Sequence, residues 1–321
     1  MMKYGPVFQN YYSNNMSSQP SSPQLSILSL SPMSAVDGPG TRVVVFFQGC
    51  PVNCAWCHSP HSRPACSPLL FREKDCTLCG RCVTACSRNV HSFKDGKHTV
   101  QRENCLRCGK CVEECPNSFA YREGGVLSLP GKMMTPQSLL EKVLPNLSLC
   151  DGITLSGGEA LAQEQTLQFL KLCKENDIHV CVETSGLLDS GCYERVLPYV
   201  DIWLFGTRVL TGNNSLFHTE KLIENARLIK KSSKKILPVI PMVPDVMNRS
   251  DALSQALMLV SEIETDEIQL NPWNRSYDLY YAFSGIKCAF PRPSEEKIAI
   301  CEAEIRDFFL EKGYKITERG K

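Results

Sequence analysis

The run Val43-Val44-Val45-Phe46-Phe47-Gln48-Gly49-Cys50-Pro51-Val52-Asn53-Cys54-Ala55-Trp56-Cys57 carries the reading on which the fold turns. Its first five residues are β-branched or aromatic without alternation, the pattern of a strand buried on both faces. The strand ends at Gly49, so Cys50, Cys54 and Cys57 leave it on a single loop. Three thiolates so close together form a soft ligand set. A [4Fe–4S] cube takes four ligands, one per iron, so three leave one iron open to a substrate. Zinc, with His58 or His61 as fourth ligand, is the rival closed site; the number of companion cysteines weighs against it.

Outward from this stretch, strand-like runs alternate with helical ones. The strand-like runs are 152–155, 179–182, 201–205, 236–240 and 267–270. The helical ones are 161–176, 189–197, 219–231, 248–262 and 294–312, the last opened by Ser294 as a cap. With 43–47 this makes six β-then-α units, an α/β fold with a parallel sheet and helices outside. Six units are too few to close an eight-fold barrel. A partial (β/α)6 barrel is expected, with its chemistry at the C-terminal ends of the strands. There Ser156-Gly157-Gly158-Glu159 follows the second strand and Glu183-Thr184-Ser185-Gly186 the third. Such glycines let backbone approach a ligand closely, and a carboxylate beside them can accept from an ammonium group. Taken alone, the first is a turn and the second a helix cap.

Residues 66–130 read differently, with nine cysteines and little apolar periodicity. Cys76-x2-Cys79-x2-Cys82-x3-Cys86 recurs as Cys105-x2-Cys108-x2-Cys111-x3-Cys115, each cysteine 29 positions on. Pro116 follows the second run, and the spacing is that of a bacterial two-cluster ferredoxin, in which the fourth cysteine of each run serves the other cluster. One cluster is therefore assigned to Cys76, Cys79, Cys82 and Cys115, the other to Cys105, Cys108, Cys111 and Cys86. The expected plan is a disordered leader (1–32), a first part of the barrel (33–65), an α+β ferredoxin-like insert (66–130) and the remainder of the barrel (131–321). Cys66, Cys150, Cys173, Cys181, Cys192, Cys288 and Cys301 lack ligand spacing and read as buried or bystander thiols.

Bulk composition sets the compartment and excludes some partners. The chain has 18 cysteines among 321 residues, and its first 30 residues, rich in Ser, Asn, Gln and Pro, carry no secretory pattern. Clustered cysteines are then metal ligands rather than disulfides, and a cytoplasmic location is expected. Lysine plus arginine number 35 against 34 acids, a formal charge of +1, which gives no electrostatic reason for nucleic acid or membrane as partner. No apolar run approaches the roughly 18 residues of a membrane helix.

The cysteine triad, with an aromatic before its last member, resembles the signature of the radical S-adenosylmethionine superfamily. The resemblance implies that a cluster on Cys50, Cys54 and Cys57 donates an electron to the sulfonium of S-adenosylmethionine. Methionine and a 5′-deoxyadenosyl radical result, and the radical abstracts a hydrogen from the target. It also implies that Trp56 and His58 line the adenine pocket, that Ser156, Gly157, Gly158 and Glu159 bind the amino group, and that Glu183 and Ser185 belong to a further ligand loop. Val36-Asp37-Gly38-Pro39-Gly40-Thr41-Arg42 resembles a motif of the activating enzymes of glycyl radical enzymes. There, Asp37, Gly38, Pro39 and Gly40 would hold the partner's glycine-bearing peptide. A two-cluster insert directly after the triad is typical of one branch of those activators. Three [4Fe–4S] clusters, S-adenosylmethionine, a glycyl radical enzyme as protein substrate, a flavodoxin or ferredoxin as low-potential donor and an anaerobic setting follow from the resemblance. The chain departs from the family at Gly206-Thr207-Arg208, at Ile236 and at Leu270-Asn271-Pro272-Trp273-Asn274. Family contacts to S-adenosylmethionine there fall to Gly206, Thr207, Arg208 and Asn274. Two other readings stay open: a radical enzyme acting on a small molecule, and an iron–sulfur electron-transfer protein without catalysis.

Overall fold

Val43, Val44, Val45 and Phe47 are all exposed by 1% or less, because their strand lies inside a nine-stranded sheet. The structure is a computed structural model that describes residues 23–118, 125–207 and 215–319. The chain opens with β1 (Leu25–Ser34) and β2 (Arg42–Phe47). The cysteine-rich segment follows, with β3 (Leu70–Phe71), α1 (Arg81–Ala85), β4 (His91–Lys94), β5 (Lys97–Val100), α2 (Lys110–Glu113) and β6 (Leu127–Ser128). Then come β7 (Lys132–Met134), α3 (Pro136–Leu147), β8 (Gly152–Gly157), α4 (Thr166–Glu175), β9 (Val180–Thr184), α5 (Ser190–Glu194) and β10 (Ile202–Gly206). The last third holds α6 (Ser215–Lys230), β11 (Lys235–Pro241), α7 (Ser250–Ile263), β12 (Glu267–Asn271), α8 (Tyr277–Ser284), α9 (Glu295–Glu311) and β13 (Lys315–Glu318).

The sheet runs β13-β12-β11-β10-β9-β8-β2-β1-β7. Every pair from β2 to β13 is parallel, whereas β1 is antiparallel to both its neighbours. The six parallel strands expected from the sequence therefore occur side by side in chain order, and the fold is mixed α/β. The sheet is also curved. Four strand spacings of about 4.8 Å would separate β9 from β13 if it were flat. Arg319, one residue beyond β13, nevertheless puts Nη1 3.2 Å from Glu183 Oε1 on β9.

Three large apolar clusters, with a small one of Leu204, Leu237 and Val239 beside them, hold the described residues together. One joins β1, β2, β8, β9 and β10 to Leu139, Val143, Phe169 and Leu170 of α3 and α4. A second packs Ile298, Ile305 and Phe309 of α9 against α7, β12, Trp56 and Trp273. The third belongs to the cysteine-rich segment and contains Leu69, Phe71, Val90, Val126 and Leu127 together with Cys82 and Cys111. In that segment β3 pairs with β6 (Leu70 opposite Ser128), so the chain leaves and returns to the main body at one place.

The structure corrects several expectations. Residues 25–32, read as part of a disordered leader, form most of β1. Their serines lower the mean hydropathy, but Leu25 and Ile27 are buried in the first cluster and β1 is paired on both sides. Residues 1–22 of that leader lie outside the described part. The run 161–176 divides into a 3₁₀ turn at Ala160–Ala162 and the helix α4. A seventh parallel strand, β13, extends the expected six. The helix α3 was also unforeseen, although Thr135-Pro136 opens it in the usual way: Thr135 accepts from Ser138 N and Pro136 takes the first helical position.

Candidate active site and cluster-binding cysteines

The register of β2 with β8 builds the site. Phe46 pairs with Ser156 and Phe47 with Gly157, so the two parallel strands deliver the cysteine loop and the glycine loop side by side. Gly158 N donates to Phe47 O at 2.8 Å, and Glu159 N donates to Gly49 O at 2.9 Å. The approach leaves no room for side chains. A Cβ on Gly157 would stand 2.5 Å from Phe47 N, and one on Gly158 2.3 Å from Gly49 O. Gly49 itself takes φ +95°, which turns the chain out of β2. The cysteine loop closes on its own stem: Gly49 N donates to Ser62 O, Cys50 N to Arg63 O, and the buried Gln48 amide to His61 O and Pro64 O.

Cys50, Cys54 and Cys57 all line one cavity of about 360 Å³. Burial pushes the Cys50 thiol up to about 12, with Glu159 and then the two companion cysteines adding to it. Three thiolates here therefore need a cation among them. The donor set, three sulfurs on one open cavity, fits an iron–sulfur cube; His58 shares the lining, whereas His61 does not reach it. That imidazole lies outside the cavity lining, stacked on Tyr280 at 4.2 Å between ring centroids.

The expected ligand residues divide into those that reach the cavity and those that do not. Trp56 and His58 line it, as do Ser156, Gly157, Gly158, Glu183, Ser185 and Asn274. His58 meets the edge of Trp273 at 5.1 Å. Glu183 accepts from Ser156 Oγ at 2.7 Å. Glu159, expected to meet an ammonium group, is instead buried beneath the cavity. Its carboxylate accepts from Thr184 Oγ1 (3.0 Å), Ser185 N (2.9 Å) and Ser185 Oγ (2.6 Å), tying the loop after β8 to the loop after β9. A buried carboxylate must be hydrogen-bonded, and these protein donors meet that need. Gly206 and Thr207 also miss the lining; Thr207 is buried and donates to Val239 O through its backbone N–H. Arg208 lies outside the described residues.

Asp37 lies deep in the loop between β1 and β2. Its backbone oxygen accepts from Thr154 Oγ1 at 2.6 Å, and its carboxylate from Ser34 Oγ and Arg319. Gly38 follows at φ +119°, with the position of a Cβ in contact with Thr154, Cys181 and Leu204 on three successive strands. Pro39 and Gly40 are exposed. Arg319, which the sequence reading missed, lines the cavity and also bridges Asp37 and Glu183. Nothing local marks it; only the curl of the sheet brings the end of β13 over the strands that carry the site.

In the cysteine-rich segment, Cys115 meets Cys76, Cys79 and Cys82 around one small cavity. The thiols whose charges push Cys111 up to about 12, after burial, are Cys105, Cys86, Cys108 and Cys82. The 29-residue repeat extends to the backbone. Leu78 and Arg107 share φ near +55° (55° and 57°), and Gly80 and Gly109 are left-handed caps of α1 and α2. His91 and His98, also missed in the sequence, lie buried against Cys76 and Cys82. Cys173, Cys181 and Cys301 are wholly buried.

These features meet a matching body of relatives. Residues 69–116 match the family model of the 4Fe-4S dicluster domain. The trans-4-hydroxy-L-proline dehydratase activating enzyme of Clostridioides difficile is 29% identical over 85% of this chain and 93% of its own. The isethionate sulfite-lyase activating enzyme of Oleidesulfovibrio alaskensis is 30% identical over 78% of this chain and 84% of its own. The choline trimethylamine-lyase activating enzyme of the same organism is 29% identical over 71% and 75%. Fold, cysteine triad and relatives together define a radical S-adenosylmethionine enzyme that carries iron–sulfur clusters. Within that class, the chain belongs to the family of glycyl-radical-enzyme activating enzymes.

Proposed function

We propose that the protein cleaves S-adenosylmethionine reductively at the Cys50, Cys54 and Cys57 site and uses the 5′-deoxyadenosyl radical to take a hydrogen from a backbone glycine of a partner enzyme. The observation that carries this is a single cavity onto which the three cysteines, the Gly157-Gly158 loop and the Asp37–Arg319–Glu183 cluster all converge. When bound, the cluster supplies the electron that breaks the sulfonium bond. The chain's own residues do the rest. Gly157 and Gly158 present backbone to the methionine end, while Ser156, Glu183 and Ser185 present polar atoms. Trp56, His58 and Asn274 form an aromatic and amide wall for the adenine. Asp37 and the loop through Gly40 guide the partner's glycine-bearing peptide, with Arg319 balancing the buried acids. A glycine target suits a narrow cavity because it brings no side chain.

The same reading holds that residues 66–130 are an insert with two [4Fe–4S] clusters, assigned as Cys76, Cys79, Cys82 and Cys115, and Cys105, Cys108, Cys111 and Cys86. Residues 33–65 and 131–321 then form a partial barrel, supported by the parallel strand order and the curl of the sheet. The insert relays electrons from a low-potential donor such as flavodoxin or ferredoxin in an anaerobic cytoplasm. No helix among the described residues is long and apolar enough to cross a membrane. All three cubes together contain about twelve iron atoms per chain.

The test is direct. Reduced, iron-loaded protein is incubated with S-adenosylmethionine, and 5′-deoxyadenosine is measured by chromatography, with and without a candidate partner. Deoxyadenosine release and a glycine-centred radical signal on the partner are expected, and Cys54→Ala abolishes both. Unchanged cleavage by Cys54→Ala refutes the site. Product made from a small molecule with no protein partner refutes the activase reading.

A further inference from the structure

We propose that His98 donates a hydrogen bond to the cluster ligand Cys76, is held in the donating tautomer by His91, and makes the Cys76-Cys79-Cys82-Cys115 cluster easier to reduce than its repeat-related twin. The inference rests on the cluster assignment above, not on the cleavage reaction.

The two histidines come from one hairpin. β4 and β5 turn through Asp95 (φ 50°) and Gly96 (φ 72°), which sets Phe93 opposite His98 and His91 opposite Val100. Both imidazoles are almost fully buried, at 3% and 5% exposure. His98 Nδ1 lies 3.4 Å from Cys76 Sγ. Its Nε2 lies 3.0 Å from His91 Nδ1 and 3.7 Å from Cys82 Sγ. The phenyl rings of Phe71 and Phe93 close on His98 at 4.4 and 4.8 Å, keeping water out.

A metal-bound thiolate is an acceptor, so a lone pair on His98 Nδ1 facing it is repelled and a proton there is favoured. Nε2 of the same ring then carries the lone pair; it accepts from His91 Nδ1–H at 3.0 Å, the shorter of its two polar contacts, and that bond outweighs the longer 3.7 Å approach to Cys82 Sγ. That leaves His91 Nε2 without a proton, and it is a buried nitrogen with no hydrogen-bond partner. An unmet lone pair there is a smaller penalty than an unmet N–H, so the three observations agree on one proton arrangement. Among the described residues no imidazole stands at the matching place in the second repeat: 29 residues after His98 is Leu127, buried in the segment's core, and Cys105 Sγ accepts there only from the backbone N–H of Arg107. A hydrogen bond to a ligand sulfur stabilises the more negative, reduced cluster. The duplicated module therefore holds two centres of unequal potential.

The experiment is a potentiometric titration followed by electron paramagnetic resonance on the full iron-loaded chain, comparing wild type with His98→Phe and His98→Gln. His98→Phe lowers the reduced-to-oxidised ratio of one cluster about tenfold at fixed poise, about 59 mV for a one-electron couple. The other clusters stay in place and iron content is retained. His98→Gln keeps an N–H and regains part of the loss. Independently, ¹⁵N-histidine labelling of the wild type yields a weak nitrogen coupling to one reduced cluster. Potentials that do not move, iron loss in both variants, or a strong coupling from a ligating nitrogen each overturn the proposal. The last would make His98 part of the metal site that Cys82, His91 and His98, with ligand atoms within 4.8 Å of one another, could form. Absence of S-adenosylmethionine cleavage leaves the potential difference standing, so the two readings fail separately.

Discussion

Gly158 is fixed by contact rather than by dihedral angle, since an added Cβ meets the Gly49 carbonyl at 2.3 Å. Gly158→Ala must push the glycine loop off the root of the cysteine loop, a shift that costs about 1–3 kcal/mol. The expected result is loss of deoxyadenosine formation and of iron from the triad, read by product assay and iron analysis, with the other clusters retained. His61 yields a pH prediction. Burial lowers its imidazole from 6.5 to about 4. The folded state therefore resists a proton that the unfolded chain accepts. Its contribution is complete above about pH 6.5 and declines as pH falls toward 4, by up to about 3 kcal/mol. His61→Phe, which keeps the stack on Tyr280, flattens that part of the stability profile in urea melts taken between pH 4 and 7. The cysteine runs stood out in the sequence because ligand spacing is chemistry written in one dimension. The buried role of Glu159 was not, because its donors Thr184 and Ser185 belong to another strand's loop.

Elements were legible in proportion to their local pattern. Parallel strands between helices are buried on both faces, and β2, β9, β10 and β11 announce themselves as short apolar runs, while β8 and β12 interleave polar residues with Ile and Leu. β1 and β13 lie toward the margins of the sheet, where half-burial mixes serines, lysines and threonines with apolar residues. The helix α9 was legible at both ends. Ser294 Oγ accepts from Lys297 N at 3.3 Å, with Glu295 and Glu296 in the first turn. Ser294→Ala should lower stability by about 1 kcal/mol without altering iron content, measured by urea denaturation. A larger loss, or a loss of iron, would mean that the start of α9 does more than cap a helix.

For the whole molecule, the segment of residues 66–130 and the large sheet rest on different supports. The segment's apolar cluster is small and includes Cys82 and Cys111, whose thiols burial raises to about 11 and 12. Chelation of iron should therefore melt this segment while the sheet keeps its helices around it. Limited proteolysis should cut first within 66–130, and equal protection throughout would contradict this. Arg319 closes the molecule across its sheet. Arg319→Ala leaves Asp37 and Glu183 without their shared cation and should cost about 3 kcal/mol; Arg319→Lys recovers only part, because the shorter ammonium lacks the planar fork that spaces Nη1 and Nη2 to reach both carboxylates. Denaturation midpoints of the two variants decide it. The sequence by itself determined the parallel α/β plan, the cysteine triad and the duplicated cysteine runs, because burial on both faces and cysteine spacing are each short-range patterns along the chain. The curl that brings Arg319 to Asp37, the turning inward of Glu159 and the meeting of His98 with Cys76 were decided only in the tertiary structure. Each depends on which residues of distant segments become neighbours, and that distance is set by packing rather than by spacing.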